Sequence, residues 1–284
     1  MASSDTVRAD RRATGRGGDL ARQLTVAVSA VIAVVGSFIG SGAAGGTPIQ
    51  EAAGGALAAD ATLIAPGSGA FGIWSVIYAG LLAYAVWQFL PSQRAAERQR
   101  AIGYWVAASL LLNAAWILSI QFDQLWVSVP VIIALLLVLI RCFILLRRHR
   151  SDGIVDAVVT DGTLGLYLGW VCVATAANIT AALVAVGFDG FGVDATVWAV
   201  VVIAVAGLVG VGLALWGEGR LAPTASLCWG LGWVAIARLA AEPESPATAI
   251  AAITAVVVVL IVTIVARLRT ARPDRDASPL SAVG

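Results

Sequence analysis

Apolar residues occur in eight long runs along the chain, and short polar connections separate most of these runs. Each run is close to the roughly 20 residues that a helix needs to cross the ~30 Å hydrocarbon core of a bilayer. The predicted transmembrane helices are Leu24–Gly40, Phe71–Leu90, Ile102–Ile120, Leu125–Leu146, Gly162–Val186, Ala195–Trp216, Ala222–Ala240 and Ala247–Ala266. Runs such as Ile132–Ile140 are continuously apolar, whereas the strands of a membrane β-barrel alternate, so the pattern predicts helices.

Composition leads to the same fold class. Hydrophobic residues make up 60% of the 284 residues and charged residues only 12%, against about 25% charged in soluble domains. A soluble fold of this size could not bury so much apolar surface, so we predict an all-α, polytopic bundle of about eight helices in the cell (plasma) membrane. The net charge of +1 gives no field that would attract nucleic acid, so no nucleic-acid partner is predicted.

The arginines predict the orientation, because cytoplasmic loops are enriched in basic residues. If the helices alternate in direction, one side carries Arg8, Arg11, Arg12, Arg16, Arg22, Arg94, Arg98, Arg100, Arg141, Arg147, Arg148, Arg150, Arg220, Arg267, Arg269, Arg272 and Arg275. Both termini are therefore expected in the cytoplasm. Only Arg238 breaks the pattern, at the outer end of the seventh helix, where Glu242 is a candidate partner four residues later.

These features predict four regions. Residues 1–20 form a disordered, Arg-rich cytoplasmic tail, 21–190 a five-helix core, 191–270 three additional helices, and 271–284 a second disordered tail. The core contains one long external loop, residues 41–69, which is rich in Gly and Ala and includes Pro48 and Pro66. A long loop among short ones is either a lid or binding element or a flexible spacer, and the sequence favours neither.

Several classes of chemistry find no support in the sequence. Acidic residues and histidine are missing from the helix centres, which argues against a proton- or ion-coupled pump. Cys142, Cys172 and Cys228 are scattered through apolar segments and His149 is the only histidine, so we predict neither a disulfide framework nor a metal site, and no cofactor. We also find no Ser-His-Asp set, paired intramembrane carboxylates or phosphate-binding glycine loop, and we assign no catalytic residues.

Three helices carry aromatic and amide residues at helical spacing. Phe71, Trp74 and Tyr78 share one face of the second helix. In the third, Trp105, Ser109, Leu112 and Trp116 share a face with Asn113 at its edge, and in the fifth Tyr167, Trp170, Ala174, Asn178 and Ala181 fall within about 80° of arc. Flat rings and amides suit a planar apolar ligand with a few polar atoms. The predicted ligand-binding residues are Phe71, Trp74, Tyr78, Asn113, Trp116, Tyr167, Trp170 and Asn178.

Each of these residues also has a simpler interpretation. A tryptophan can belong to the interfacial belt or to ordinary packing, and Asn113 or Asn178 can form an interhelical hydrogen bond worth about 0.6 kcal/mol. The opposite face of the fifth helix carries Gly165, Gly169, Cys172 and Ala176, and the first helix carries Gly36 and Gly40. Small residues at this spacing predict close contact with a neighbouring helix.

The aromatic segments resemble the TspO/MBR family, which comprises the tryptophan-rich sensory proteins and the mitochondrial translocator protein, or peripheral benzodiazepine receptor. The segment FGIWSVIYAGLLAY, residues 71–84, resembles the family's second helix, LLLNAAWIL, residues 110–118, its third, and LYLGWVCVATAANITAAL, residues 166–183, its fifth. These segments occur in the family's order. The three additional helices, with WGLGWVAIA at residues 229–237, are similar to the extension of longer bacterial and eukaryotic members.

The resemblance implies a five-helix bundle whose pocket opens toward the first loop and binds porphyrins, sterols or benzodiazepine-type ligands. Carried over by motif, Trp74, Asn113 and Trp170 would line this pocket, and Tyr167 and Asn178 would flank it. The chain departs from the short members in its external loop, because Ser68-Gly69-Ala70 replaces their "P-x-W" approach.

Four functions follow as hypotheses. The first is a sensory or ligand-binding protein for a porphyrin or another planar apolar molecule, and the second is an uncoupled transporter of such metabolites. The third is an enzyme acting on a bound porphyrin with Trp74 or Trp170 as a photochemical partner, although no enzyme motif supports it. The fourth is a membrane scaffold. The predicted partners are the lipid bilayer and a tetrapyrrole or other apolar molecule, with a homodimer left open.

Overall fold

The structure is a computed structural model that describes residues 2–40 and 47–271, with side chains from residue 17 onward. Within these residues the regular structure is entirely helical. The helices are α1 (Ala2–Gly40), α2 (Ile73–Trp87), α3 (Pro91–Arg94), α4 (Glu97–Gln121), α5 (Leu125–Arg148), α6 (Ile154–Asp156), α7 (Thr163–Ala185), α8 (Ala195–Trp216), α9 (Leu221–Ala240) and α10 (Pro246–Thr270). The eight long helices coincide with the eight predicted ones, and most of their bounds agree within a few residues.

Shorter elements join these helices. Single 3₁₀ turns occur at Ala53–Gly55, Ser68–Gly72 and Gly190–Gly192, and a π-helical stretch, Ala157–Gly162, connects α6 to α7. At the N-terminus, α1 begins at Ala2, where the sequence predicts a disordered tail up to residue 20. The predicted C-terminal tail, apart from Ala271, and residues 41–46 of the external loop lie outside the described residues.

Seven helical segments in the described part of the chain are long and apolar enough to cross a membrane. They include every predicted span except the seventh, α9. This helix nevertheless extends across the whole bundle, because Arg220 at its start contacts Leu146 near the end of α5, whereas Arg238 near its end contacts the external loop. Its mean hydropathy is reduced by polar side chains that face other helices, such as Thr224, whose hydroxyl lies 2.8 Å from that of Thr263 in α10.

The first five long helices form a closed ring. Around this ring α1 packs against α2, α2 against α7, α7 against α5, α5 against α4, and α4 again against α1. The three C-terminal helices lie outside the ring, where α9 packs along α7 and α10 packs against both α8 and α9. The aromatic faces of α2 and α7, and the Asn113 and Trp116 end of the α4 face, therefore point toward a common interior.

Small residues bring two helix pairs close together, as the sequence predicts. A Cβ atom at Gly169 in α7 would lie 2.1 Å from the carbonyl oxygen of Pro223 in α9. A Cβ atom at Gly165 would lie 2.8 Å from the Cβ of Ala222, also in α9. In the first helix, a Cβ atom at Gly40 would lie 2.4 Å from a methyl group of Ile117 in α4. Glycine at these positions permits backbone distances that any side chain would prevent.

Candidate functional site

A narrow hollow lies inside the ring, between α2, α4, α5 and α7, with about 610 Å³ of space not occupied by protein atoms, part of it open to solvent. Its outer end is covered by part of the external loop, residues 47–67, which we call the lid segment. The lining consists of Ala56, Leu57, Thr62, Ala65, Pro66, Phe71, Trp74, Asn113, Trp116, Ile132, Leu135, Trp170, Val171, Ala174, Ala177, Asn178 and Ala181. None of these described lining residues is charged. The enclosed cavity itself measures only about 40 Å³, well below the 300–1,000 Å³ that is usual for small-molecule sites, so the lining side chains would have to move apart to admit a ligand of several rings.

Three aromatic rings pack around Trp74 near the start of α2, and a fourth, Phe71, packs against one of them. Its indole stands at 69° to the ring of Tyr167, with the centroids 5.8 Å apart, and at 81° to that of Trp170, with the centroids 6.3 Å apart. Tyr78 lies 5.4 Å away on the same helix, and Phe71 meets Trp170 edge-on at 5.9 Å. These edge-to-face contacts fix the ring orientations. They leave the surfaces of Phe71, Trp74 and Trp170 as part of the wall of the hollow.

Asn178 joins three helices through its amide. Its Oδ1 accepts a 3.0 Å hydrogen bond from Nε1 of Trp116 in α4, and its Nδ2 donates a 2.9 Å bond to Oγ of Ser128 in α5. The side chain is almost fully buried, where an unpaired amide would be costly. The simpler interpretation of this residue, an interhelical hydrogen bond, is therefore confirmed, although its side chain also borders the hollow.

Asn113 uses only part of its hydrogen-bonding capacity. Its Nδ2 donates a 2.5 Å bond to the hydroxyl of Tyr78, which links α4 to α2. Its Oδ1 has no partner among the described residues, and neither does Nε1 of Trp170 or Oγ1 of Thr62. All three residues line the hollow and are buried. The site therefore combines apolar rings with one unused acceptor, one unused indole donor and one hydroxyl.

The structure brings seven of the eight predicted site residues to the surface of the hollow or of an adjacent groove. The exception is Tyr167, which is fully buried behind Trp74 and donates a 3.3 Å hydrogen bond to the carbonyl of Ser109. Trp105, which shares a predicted face with Trp116, is partly exposed on the outer surface and lies 5.8 Å below the guanidinium of Arg141. Only the Asn113 and Trp116 end of the α4 stripe faces inward.

A wider groove, with about 1,180 Å³ of space not occupied by protein atoms, lies on the other side of the aromatic rings. It runs between α1, α2 and α4 and is bordered by Ser37, Ile49 and Tyr78, among others. Phe71, Trp74 and Trp116 border both spaces. These three side chains therefore separate the hollow from the groove.

Sequence reasoning missed the contribution of α5, and it left the external loop open between a lid or binding element and a flexible spacer. Ile132 and Leu135 form one wall of the hollow, and Ser128 holds Asn178 in place. In a uniformly apolar helix such as α5 the inward face has no distinctive pattern, and only the isolated Ser128 near its start could have marked it. Thr62 and Pro66 come from the loop, whose path over the ring follows from contacts that are distant in sequence.

The ring, its aromatic-lined hollow and its apolar exterior define a polytopic helical membrane protein. A family model described as TSPO-like protein matches residues 27–265. The chain therefore belongs to the TSPO-like family. The match includes α8, α9 and most of α10, in agreement with the similarity of residues 229–237 to the extension of longer members. Neither a curated protein nor a solved structure matches the chain significantly.

Proposed function

We propose that the protein binds a planar apolar small molecule, such as a porphyrin, in the hollow and acts as a ligand-binding or sensory protein of the membrane. The observation that carries this proposal is that Asn113, Trp170 and Thr62, which line the aromatic cavity, each have a buried side-chain polar atom without a hydrogen-bond partner among the described residues. A buried polar atom without a partner costs about 1–3 kcal/mol. A ligand that hydrogen-bonds to these atoms would recover part of that cost on binding.

The lining also limits the chemistry of the ligand. Apolar side chains and indoles offer contact area to a flat ring system, and the described lining contains no cation that could neutralise an acid. The part of the ligand inside the hollow is therefore expected to be uncharged, with one hydrogen-bond acceptor for Trp170 and one donor for Asn113. Carboxylates, such as those of a porphyrin, would have to remain outside the hollow, because burying an unpaired charge is very costly.

Titration of the full-length protein in detergent with protoporphyrin tests this proposal. We expect tryptophan fluorescence to be quenched with micromolar affinity in the wild type. Trp170→Phe should bind about fivefold more weakly, because it loses a hydrogen-bond donor worth about 1 kcal/mol. Trp105→Phe is the matched control, since Trp105 lies on the same bundle but outside the hollow, and its affinity should be unchanged.

Two results would contradict the proposal. One is unchanged fluorescence throughout the titration of a folded wild-type protein. The other is an equal loss of affinity in Trp170→Phe and Trp105→Phe, because that would place the porphyrin on the outer surface or in the detergent.

The alternative function is an uncoupled transporter of the same class of molecule. It is supported by the shared wall of Phe71, Trp74 and Trp116, because a change in the rotamers of these side chains would join the hollow to the groove. Uncoupled passage needs no buried ionisable group in the path. Flux of a porphyrin into liposomes that contain the protein, measured with and without a proton gradient, distinguishes the two functions. Gradient-independent flux well above that of protein-free liposomes supports transport. Flux no greater than that of protein-free liposomes contradicts transport and favours the ligand-binding function.

A further inference from the structure

The lid segment supplies a substantial part of the hollow's wall although it has almost no regular secondary structure. Ala56, Leu57, Thr62, Ala65 and Pro66 line the hollow, and the only helical element between residues 47 and 67 is the 3₁₀ turn at Ala53–Gly55. Local turns close this segment on itself, for example through the bond from the amide of Ala65 to the carbonyl of Thr62. A segment with so little internal structure needs contacts elsewhere to keep one position.

Arg238 of α9 supplies the first of these contacts. Its Nη2 donates a 2.6 Å hydrogen bond to the carbonyl of Ala59, and its Nη1 donates a 3.3 Å bond to that of Thr62. The side chain is fully buried, and no described carboxylate lies within ion-pair distance of it. The predicted pairing with Glu242 is therefore wrong. The guanidinium binds the main chain of the lid segment instead.

Two tryptophans of α9 fix the far end of the lid segment. The carbonyl of Trp233 accepts a 3.2 Å hydrogen bond from the amide of Gly67, and its indole lies so close to Gly69 that a Cβ atom there would be 2.2 Å away. Nε1 of Trp229 donates a 2.9 Å bond to the carbonyl of Ala70. The two indoles pack edge-on with centroids 5.8 Å apart. Glycine at position 69 is needed because the indole of Trp233 occupies the place of a side chain.

We infer that α9, from the C-terminal three-helix extension, holds the lid segment closed over the hollow, and that Arg238 is the principal positioning residue. Arg238 fixes Thr62 through its carbonyl, and Thr62 is one of the residues that line the hollow. Helix α9 thus has a role in positioning the lid segment, although the five-helix ring closes without the three C-terminal helices. The expected effect of Arg238 on ligand release rests on the proposed function, whereas its effect on the position of the lid segment does not.

Hydrogen–deuterium exchange of the full-length protein tests the positioning role. Arg238→Met is the chosen variant, because an apolar side chain of similar length leaves no unpaired charge in the bundle. We expect amides of residues 56–67, including Gly67, to exchange at least tenfold faster than in the wild type, while those of α7 keep their rates. Arg269→Met, which changes an exposed arginine of α10, should leave both regions unchanged, and Arg238→Lys should restore part of the protection.

Dissociation of bound protoporphyrin, followed by fluorescence, provides the second measurement. We expect Arg238→Met to release the ligand at least tenfold faster, with little change in thermal midpoint. Unchanged exchange of residues 56–67 in this variant would overturn the inference. If residues 56–67 exchange faster in Arg238→Met but neither the wild type nor the variant binds porphyrin, the positioning role stands and the proposed function is refuted.

Trp229→Phe keeps the inference testable if Arg238→Met does not fold. This variant removes the bond to the carbonyl of Ala70 and retains an aromatic ring. We expect faster exchange around residues 67–70, by a smaller factor than for Arg238→Met. Wild-type rates at those residues would overturn the inference.

Discussion

Gly169→Val is expected to destabilise the protein by an amount near the upper end of the ~1–3 kcal/mol that overpacking costs. The first added carbon would lie 2.1 Å from the carbonyl oxygen of Pro223 and 2.3 Å from Oγ of Ser226. The carbonyl belongs to the backbone of α9 and cannot rotate away, so α7 and α9 must separate. Trp170, the next residue, would move with α7, and ligand affinity should fall together with stability.

Gly212→Val is the matched control for this prediction. Gly212 is also in a transmembrane helix, α8, but is exposed, and a Cβ atom there meets no atom within 4 Å. Glycine and valine both have low helix propensity, so the change in the free energy of unfolding should be within about 0.5 kcal/mol. Unfolding in mixed micelles measures both variants. Equal stability of Gly169→Val and the wild type would mean that α7 and α9 are not in close contact.

The helices and the faces they bury could be predicted because both depend on patterns local in sequence. Apolar runs of membrane length defined the eight long helices, and helical spacing placed Trp74, Trp116 and Trp170 on inward faces. Likewise, the small face at Gly165 and Gly169 predicted a close neighbour. It could not identify that neighbour as α9, because a small-residue face specifies how near a partner comes and not which helix it is.

The remaining features depend on contacts between residues that are far apart in the chain. Arg238 stood out in the sequence as an arginine on the wrong side, but its partners, the carbonyls of Ala59 and Thr62, are main-chain atoms that any sequence would supply. The division of Asn113 and Asn178 into a partly unused amide and a structural one depends on Tyr78 and Ser128 reaching them. From residue type alone, the two asparagines have the same hydrogen-bonding capacity.

A second, partly buried network fastens α9 to the ring at the opposite end of the bundle from Arg238. Asp161, in the π-helical stretch before α7, forms ion pairs with Arg98 of α4 and with Arg220 at the start of α9. Arg98 also donates to the carbonyl of His149, and its Nε lies 3.1 Å from Oδ2 of Asp156. Asp161 thus lies between the two arginines and connects α4 to α9.

Asp161→Asn is expected to lower the free energy of unfolding by about 2 kcal/mol, between the ~0–1 kcal/mol of an exposed ion pair and the ~3–5 kcal/mol of a fully buried one, because 15% of the Asp161 side chain is exposed. The asparagine keeps the size of the side chain but removes the charge that holds Arg98, of which only 7% is exposed, and Arg220. Arg98 would retain Asp156, which also keeps the loss below that of a fully buried pair. With α9 released at this end, the α7–α9 contact should open before the five-helix ring unfolds.

Glu218→Gln is the matched control for Asp161→Asn, since Glu218 also pairs with two arginines, Arg147 at 3.1 Å and Arg150 at 3.5 Å. Its side chain is 43% exposed, and exposed ion pairs contribute only about 0–1 kcal/mol because water and salt screen them. Chemical unfolding at low and at high salt should therefore show a small, salt-sensitive loss for Glu218→Gln and a larger, less salt-sensitive loss for Asp161→Asn. Equal losses in the two variants would show that Asp161 is accessible to solvent and that the network does not fasten α9.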